Sequence, residues 1–207
     1  MERTQNDPER SASSVDEAGL LLRIARQDWR AYEQLYRIYY PRVTRFLDKM
    51  TRQPHLIDEI LDDTMLVVWQ KADTFNGRSR VSTWIFAIAY LKALKALERE
   101  GRHQGDEISD EAFDQHGADA GQPDQPDSRL MAVQSRRMVE HLLMKLPAEQ
   151  RAVVELTYYH GCSYKEIAAI ADCPVDTVKT RMFHARRKLR LLLIQQDPDL
   201  NHESSCP

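Results

Sequence analysis

The sequence predicts an all-α protein: two small helical domains joined by a flexible acidic linker, the C-terminal one containing a helix-turn-helix. Three observations carry this. Residues 16–102 place apolar side chains at helical spacing, hold only Gly19, Gly77 and Gly101, and show no strand alternation. Residues 103–128 mix acids with Gly105, Gly117, Gly121, Pro123 and Pro126, the composition of a flexible linker. Residues 163–190 read as two short helices around a tight turn, the second strongly basic.

Taken in order, residues 1–15 are polar and expected to be a disordered tail. Helical patterns then run over about 17–28, 29–50, 55–73 and 82–100. In the third, Ile57, Ile60, Leu61, Val68 and Ala72 form a core stripe, and Met65 and Trp69 extend it to a flanking face. The second domain, 129–195, holds helices at about 129–145, 148–159, 163–171 and 174–195. Pro147 heads the second of these, and Gly161 lies in the turn after it. Residues 196–207 form a polar tail. No apolar run is long enough to span a membrane, and the polar start Met1-Glu2-Arg3-Thr4 is no signal peptide. Three cysteines, Cys162, Cys173 and Cys206, cannot all pair internally, so the cytoplasm is the expected compartment.

The 163–190 stretch argues its own chemistry. Ser163 followed by Glu166 is a capping box that starts a helix. Ile167, Ala168, Ile170 and Ala171 give that helix an apolar face. Asp172-Cys173-Pro174 breaks it, because proline cannot continue one helix but suits the first turn of the next. Val178, Met182, Ala185, Leu189 and Leu192 then form one narrow buried stripe. Thr177, Thr180, Arg181, His184 and Arg187 fall on the other side. Between Pro174 and Leu191, Lys179, Arg181, Arg186, Arg187, Lys188 and Arg190 oppose Asp176 alone, a net of +5. That charge suits a phosphate backbone, and polar side chains in the first two turns suit base edges. A solvated basic helix closing a bundle is the plainer alternative. The capping box, the short break and the concentrated charge favour DNA.

Whole-chain charge is only −3, yet residues 103–130 carry −7, which leaves +4 on the remainder. Such asymmetry points to a nucleic-acid partner. The linker's charge also suits folding back on the basic helix.

In the first domain, Asp58, Glu59, Asp62 and Asp63 crowd one helix as like-charge pairs four residues apart. Acids beside an apolar rim suit docking of a basic partner. A metal would need a second acidic cluster or a Glu-x-x-His motif on a facing helix. Residues 16–102 hold neither, and His55 stands alone, so no metal, cofactor or catalytic residue is expected. A Gly- and Ser-containing loop from Phe75 with Arg78 and Arg80 leads into an aromatic helix. Aromatic and basic side chains together suit unstacked bases, although Trp84, Phe86 and Ile88 are expected to be mostly core. Lys92, Lys95, Arg99 and Arg102 continue as a positive stripe able to follow a phosphate strand. Cys162 and Cys173, with His160 nearby, are expected as small apolar side chains rather than a zinc or redox site.

Both halves resemble one family. Asp58-Glu-Ile-Leu-Asp-Asp-Thr-Met-Leu-Val-Val-Trp69, Phe75 and Ser82-Thr-Trp-Ile-Phe-Ala-Ile-Ala89 are similar to region two of the sigma-70 family of RNA polymerase sigma factors. Leu146-Pro-Ala-Glu-Gln-Arg-Ala-Val-Val-Glu-Leu156, Gly161-Cys-Ser-Tyr-Lys-Glu-Ile-Ala168, Thr177-Val-Lys-Thr-Arg181 and Ala185-Arg-Arg-Lys-Leu189 resemble region four. The direct step from one region to the other resembles the extracytoplasmic-function (ECF) group. The resemblance covers about 20–102 and 129–194.

It implies no catalysis by this chain, which would bind core polymerase and direct initiation at promoters. Asp58, Glu59, Asp62, Asp63, Val67 and Trp69 would dock on the β′ clamp, and the second domain on the β flap. Phe75, Arg78, Arg80, Trp84, Tyr90, Leu91, Lys92 and Lys95 would open and read the −10 element. Thr177, Lys179, Thr180, Arg181, His184, Arg187 and Lys188 would read the −35 element. The linker would lie in polymerase channels, and an anti-sigma factor is an expected partner. Two positions depart from the family pattern. Leu91 stands where Asn often helps form a base pocket, and His184 where Arg is common. A LuxR-type regulator shares the S-x-x-E-I-A…T-V-K pattern, but it carries an α/β domain ahead of it, for which residues 16–102 show no strand signal.

Overall fold

The computed structural model describes residues 15–103 and 137–196. The expectations for the tails, the linker and Cys206 fall outside these residues, as does that for the side chain of Arg102. The described chain forms α1 (Glu17–Ile24), α2 (Trp29–Thr51), α3 (Pro54–Lys71) and α4 (Val81–His103). A 3-10 turn, Ala72–Thr74, follows α3. Then come α5 (137–144), α6 (Ala148–Tyr158), α7 (Tyr164–Ile170) and α8 (Val175–Gln196). No strand occurs among the described residues, in keeping with the all-α expectation.

Local chemistry sets the boundaries. Asp16 caps α1 by accepting from the Gly19 amide at 2.8 Å. The first helix stops at Ile24, short of the expected 28, because Asp28 is spent on the next cap. Its carboxylate accepts from Arg30 and Ala31 at 3.0 and 3.2 Å, and Gln27 turns the chain at φ 64°. At its far end α2 closes on Arg52 in the left-handed region, φ 58°, and Pro54 opens α3.

Helices α2, α3 and α4 pack side by side over a core that includes Leu35, Tyr39, Val43, Phe46, Ile60, Val68, Ile85 and Phe86. Met65 is 1% exposed and belongs to this core, not to a flanking face, because α3 is covered by both α2 and α4. Phe86 is buried as expected, whereas Trp84 and Ile88 are half-buried. In the second domain α8 lies across α6 and α7 with Val178, Met182 and Ala185 fully buried. Leu189 and Leu192 are only half-buried, so the stripe loosens toward the end of α8.

The two domains share one apolar cluster, with α2 packed on α6 and α4 on α7. The His160 ring sits edge-on to Phe86 and Phe46, centroids 4.7 and 5.9 Å away. Arg151, 5% exposed, donates to the carbonyls of Met50 and Met144, at the C-terminal ends of α2 and α5. A guanidinium there meets carbonyls that no helical amide satisfies. Glu140 bridges Lys49 at 2.6 Å and Arg52 at 2.9 Å.

Candidate nucleic-acid interface

The two-helix unit of the second domain is built as its sequence demands. Ser163 Oγ accepts from the Glu166 amide at 3.3 Å, and the Glu166 carboxylate accepts from the Ser163 amide at 2.8 Å. Both halves of the capping box are therefore made, and the bonds from Ser163 hold the Glu166 carboxyl below its usual range. The break between α7 and α8 turns at Asp172, φ 46°, and α8 begins one residue after Pro174.

On α8 the buried stripe fixes what faces out. Lys179, Thr180, His184, Arg187 and Lys188 are exposed, and Thr177 is half-buried. Phe183, 63% exposed, joins them, an apolar side chain among polar ones that a stripe count alone does not single out. Arg181 differs from its neighbours. It turns inward to Cys173 Sγ at 3.8 Å and lies 3.7 Å from Glu149. Cys162 and Cys173 are half-buried free thiols packed on the core, and burial pushes the Cys162 thiol up. Among the described residues no cluster of three or more His, Cys, Asp or Glu could hold a metal ion, and no helix is long and apolar enough to cross a membrane.

The first domain places its residues less uniformly. Arg78 and Arg80 are exposed, and the Phe75 ring lies tilted against Trp84 with centroids 5.7 Å apart. Leu91 is exposed and Lys95 faces solvent. Tyr90, expected at the DNA surface, is instead 2% exposed in the core. Its hydroxyl faces Arg181, Glu149 and Cys173 of the second domain, and burial raises its pKa. The sequence could not show this, because α7, distant in the chain, packs against α4.

The acids of α3 also divide. Asp63 accepts from Lys92 at 2.7 Å, and Glu59 accepts from Arg99 at 3.0 and 3.1 Å. Asp62 instead lines an open groove of about 400 Å³ with Asp63, Leu66, Trp69, Trp29 and Tyr32. Trp69 meets Trp29 and Tyr32 edge-on at 5.7 and 5.2 Å. Trp29 and Tyr32 are groove residues that the sequence reading missed. The available sign was the aromatic row Trp29, Tyr32, Tyr36 and Tyr40, which repeats at helical spacing on α2.

A two-domain helical chain with this arrangement has known relatives. The Sigma-70 region 2 family model matches residues 35–103, and the Sigma-70, region 4 model matches 136–189. The ECF RNA polymerase sigma factor RpoE of Cereibacter sphaeroides is 31% identical over 165 residues, 79% of this chain and 87% of the relative. The chain is an ECF sigma factor. The ECF RNA polymerase sigma-E factor of Escherichia coli (strain K12) is 29% identical over 174 residues, 82% of this chain and 90% of that one. Among solved structures, the sigma factor RpoE of Bartonella quintana, in complex with the anti-sigma factor NepR, aligns at TM-score 0.61 and 26% identity over 78% of this chain and 96% of its own. CnrH, in complex with the cytosolic domain of CnrY, shares the fold at TM-score 0.62 and 24% identity, covering 87% of this chain and 98% of that one. As a sigma factor, the chain binds core RNA polymerase and directs promoter-specific initiation. A match to region two ahead of region four leaves no place for the LuxR-type reading.

Proposed function

We propose that the sigma factor reads two promoter elements with two separate surfaces. Residues 129–195 take the −35 element, with α8 in the major groove. Thr177, Thr180, Arg181, His184 and Arg187 meet base edges there, and Lys179 and Lys188 meet phosphates. Residues 16–102 open and read the −10 element through Phe75, Arg78, Arg80, Trp84, Leu91, Lys92 and Lys95. Asp58, Glu59, Asp62, Asp63, Val67 and Trp69 dock on the β′ clamp, and the second domain docks on the β flap. Residues 103–128 bridge the two. The chain performs no catalysis and works in the cytoplasm beside the polymerase. The observation that carries this reading is the capped two-helix unit whose buried stripe leaves a basic, polar face outward.

An anti-sigma factor is the further partner proposed, since the Bartonella quintana relative was solved with one. The test is in-vitro transcription by core polymerase on a randomised promoter library. The expected result is initiation from templates sharing two spaced elements. No stimulation of initiation by the added chain would overturn the reading.

A further inference from the structure

The outward surface of α8 has a middle row and two edges, and the promoter contacts proposed above leave one edge almost unused. The buried residues Val178, Met182 and Ala185 fix the count, since each following residue lies about 100° further round the helix. Two positions on, Thr180, His184 and Arg187 form the middle row, opposite the core. Thr177, Arg181 and Lys188 form one edge, where Arg181 is turned inward to Cys173 and Glu149. One position on from the buried residues, Lys179, Phe183, Arg186 and Arg190 form the other edge, and all four are exposed. Only Lys179 of these figures among the proposed contacts.

That edge is held in place from outside α8. Arg186 donates to the Tyr158 hydroxyl at 2.7 Å, so a side chain from the last turn of α6 positions the guanidinium. Tyr158 is 59% exposed, and the pair therefore stands at the surface. A phenol that accepts from a guanidinium is polarised by it and keeps its own proton to donate. Among the described residues no carboxylate pairs with Arg186 or Arg190. Lys179 meets Asp176 at 2.9 Å, but with side chains 60% and 88% exposed that pair resists little. A guanidinium already held in position loses less freedom when it binds an anion than a free one does.

An α-helix about 10–12 Å across fills a major groove about 12 Å wide, so when its middle row faces the bases its edges face phosphates. On the −35 reading above, which this inference rests on, the edge from Lys179 to Arg190 lies against the backbone of one strand. We propose that Lys179, Arg186, Arg190 and the Tyr158 hydroxyl form a phosphate rail for that strand. The Arg186 guanidinium and the Tyr158 O–H donate to one phosphate. Lys179 and Arg190 lie about 16 Å apart along the helix axis and meet different ones. The rail sets the depth and angle of α8 in the groove and has no sequence preference of its own.

The test uses the full chain bound to core polymerase, on the upstream duplex selected in the initiation assay, with affinity followed by fluorescence anisotropy across a salt series. Arg186→Ala and Arg190→Ala should each weaken binding about fivefold whatever the sequence and lower the salt slope by about one. Arg186→Lys should restore the slope, because it restores the charge. Tyr158→Phe should weaken binding about threefold and keep the slope, because a hydroxyl releases no counterion. Melting temperatures of the free variants should stay within a few degrees of wild type. If Arg186 and Tyr158 only staple α6 to α8, the same variants lower the melting temperature and leave affinity and slope unchanged, which overturns the proposal. Weaker binding to core polymerase, with unchanged affinity of the assembled complex for the duplex, also overturns it, since the edge then serves the polymerase. A base preference that Arg187→Ala alters while the edge variants change nothing overturns this proposal alone. Arg187→Ala and the edge variants all without effect would overturn the −35 reading as well.

Discussion

Glu155 offers the sharpest physical test of the fold. It is 0% exposed on α6, and neither carboxylate oxygen has a protein hydrogen-bond partner. Burial pushes its carboxyl from 4.5 up to about 7, against the pull of Lys49, Arg151 and Arg52 and with a push from Glu140. Below pH 4.5 the group is protonated in both the folded and the unfolded chain. Above that, the unfolded chain releases the proton while the folded chain keeps it, so stability falls as pH rises through about 7 and then levels. At about 1.36 kcal/mol per pH unit, the full loss is roughly 3 kcal/mol. Glu155→Gln keeps the shape and has no proton to lose. Arg151 keeps both of its hydrogen bonds in that variant, because it donates to the Met50 and Met144 carbonyls, not to Glu155. Urea unfolding of wild type and Glu155→Gln should agree within about 0.5 kcal/mol at pH 4.5. At pH 8 the variant should be more stable by about 2–3 kcal/mol, with a melting temperature about 5–10 °C higher. A variant less stable than wild type at pH 8, or a gap independent of pH, would refute this account of the buried carboxyl.

Three further outcomes are expected. Ser163→Ala removes the α7 cap and should cost about 1 kcal/mol, lowering the melting temperature by about 2–4 °C and weakening binding to the upstream duplex. Arg187→Ala should lose about 1–3 kcal/mol of discrimination at one base of that duplex, whereas Lys188→Ala should weaken all sequences alike and reduce the salt slope by about one, both readable by fluorescence anisotropy across a salt series. Trp29→Ala, at a groove wall that is 61% exposed, should lower affinity for core polymerase about tenfold in a competition assay while leaving the melting temperature within a few degrees.

Local signals were legible because each is written within a few residues. Ser163 and Glu166 sit three apart, so their capping box could be read directly, and Pro174 marked the break to within one residue of where α8 begins. Val178, Met182 and Ala185 repeat at helical spacing and are buried as that spacing requires. What could not be read depends on partners distant in the chain. Nothing near Tyr90 announces that Arg181 will cover it, and nothing near Arg151 announces the Met50 carbonyl. Trp29 and Trp69 form one groove wall only because α2 lies against α3. Charge counting misled in a similar way. It found the acids of α3 and the bases of α4 as two separate surfaces, and the fold sets them side by side.

That juxtaposition gives the charge pattern a mechanical meaning. Asp63 holds Lys92 and Glu59 holds Arg99, so carboxylates assigned to the polymerase neutralise cations suited to a DNA strand. The side chains of both pairs are 35–49% exposed, and ion pairs at that exposure are worth about 0–1 kcal/mol each. A basic clamp surface competing for the same carboxylates therefore meets little resistance. It also leaves Lys92 and Arg99 without partners at the moment a promoter strand is offered, when each new phosphate contact releases counterions. On the proposed assignments, polymerase docking and strand capture become one exchange of partners across α3 and α4. The free chain thus holds its cations against its own carboxylates. On the proposed assignments, moderate charge on each surface is sufficient for a subunit that meets its promoter while held on the polymerase.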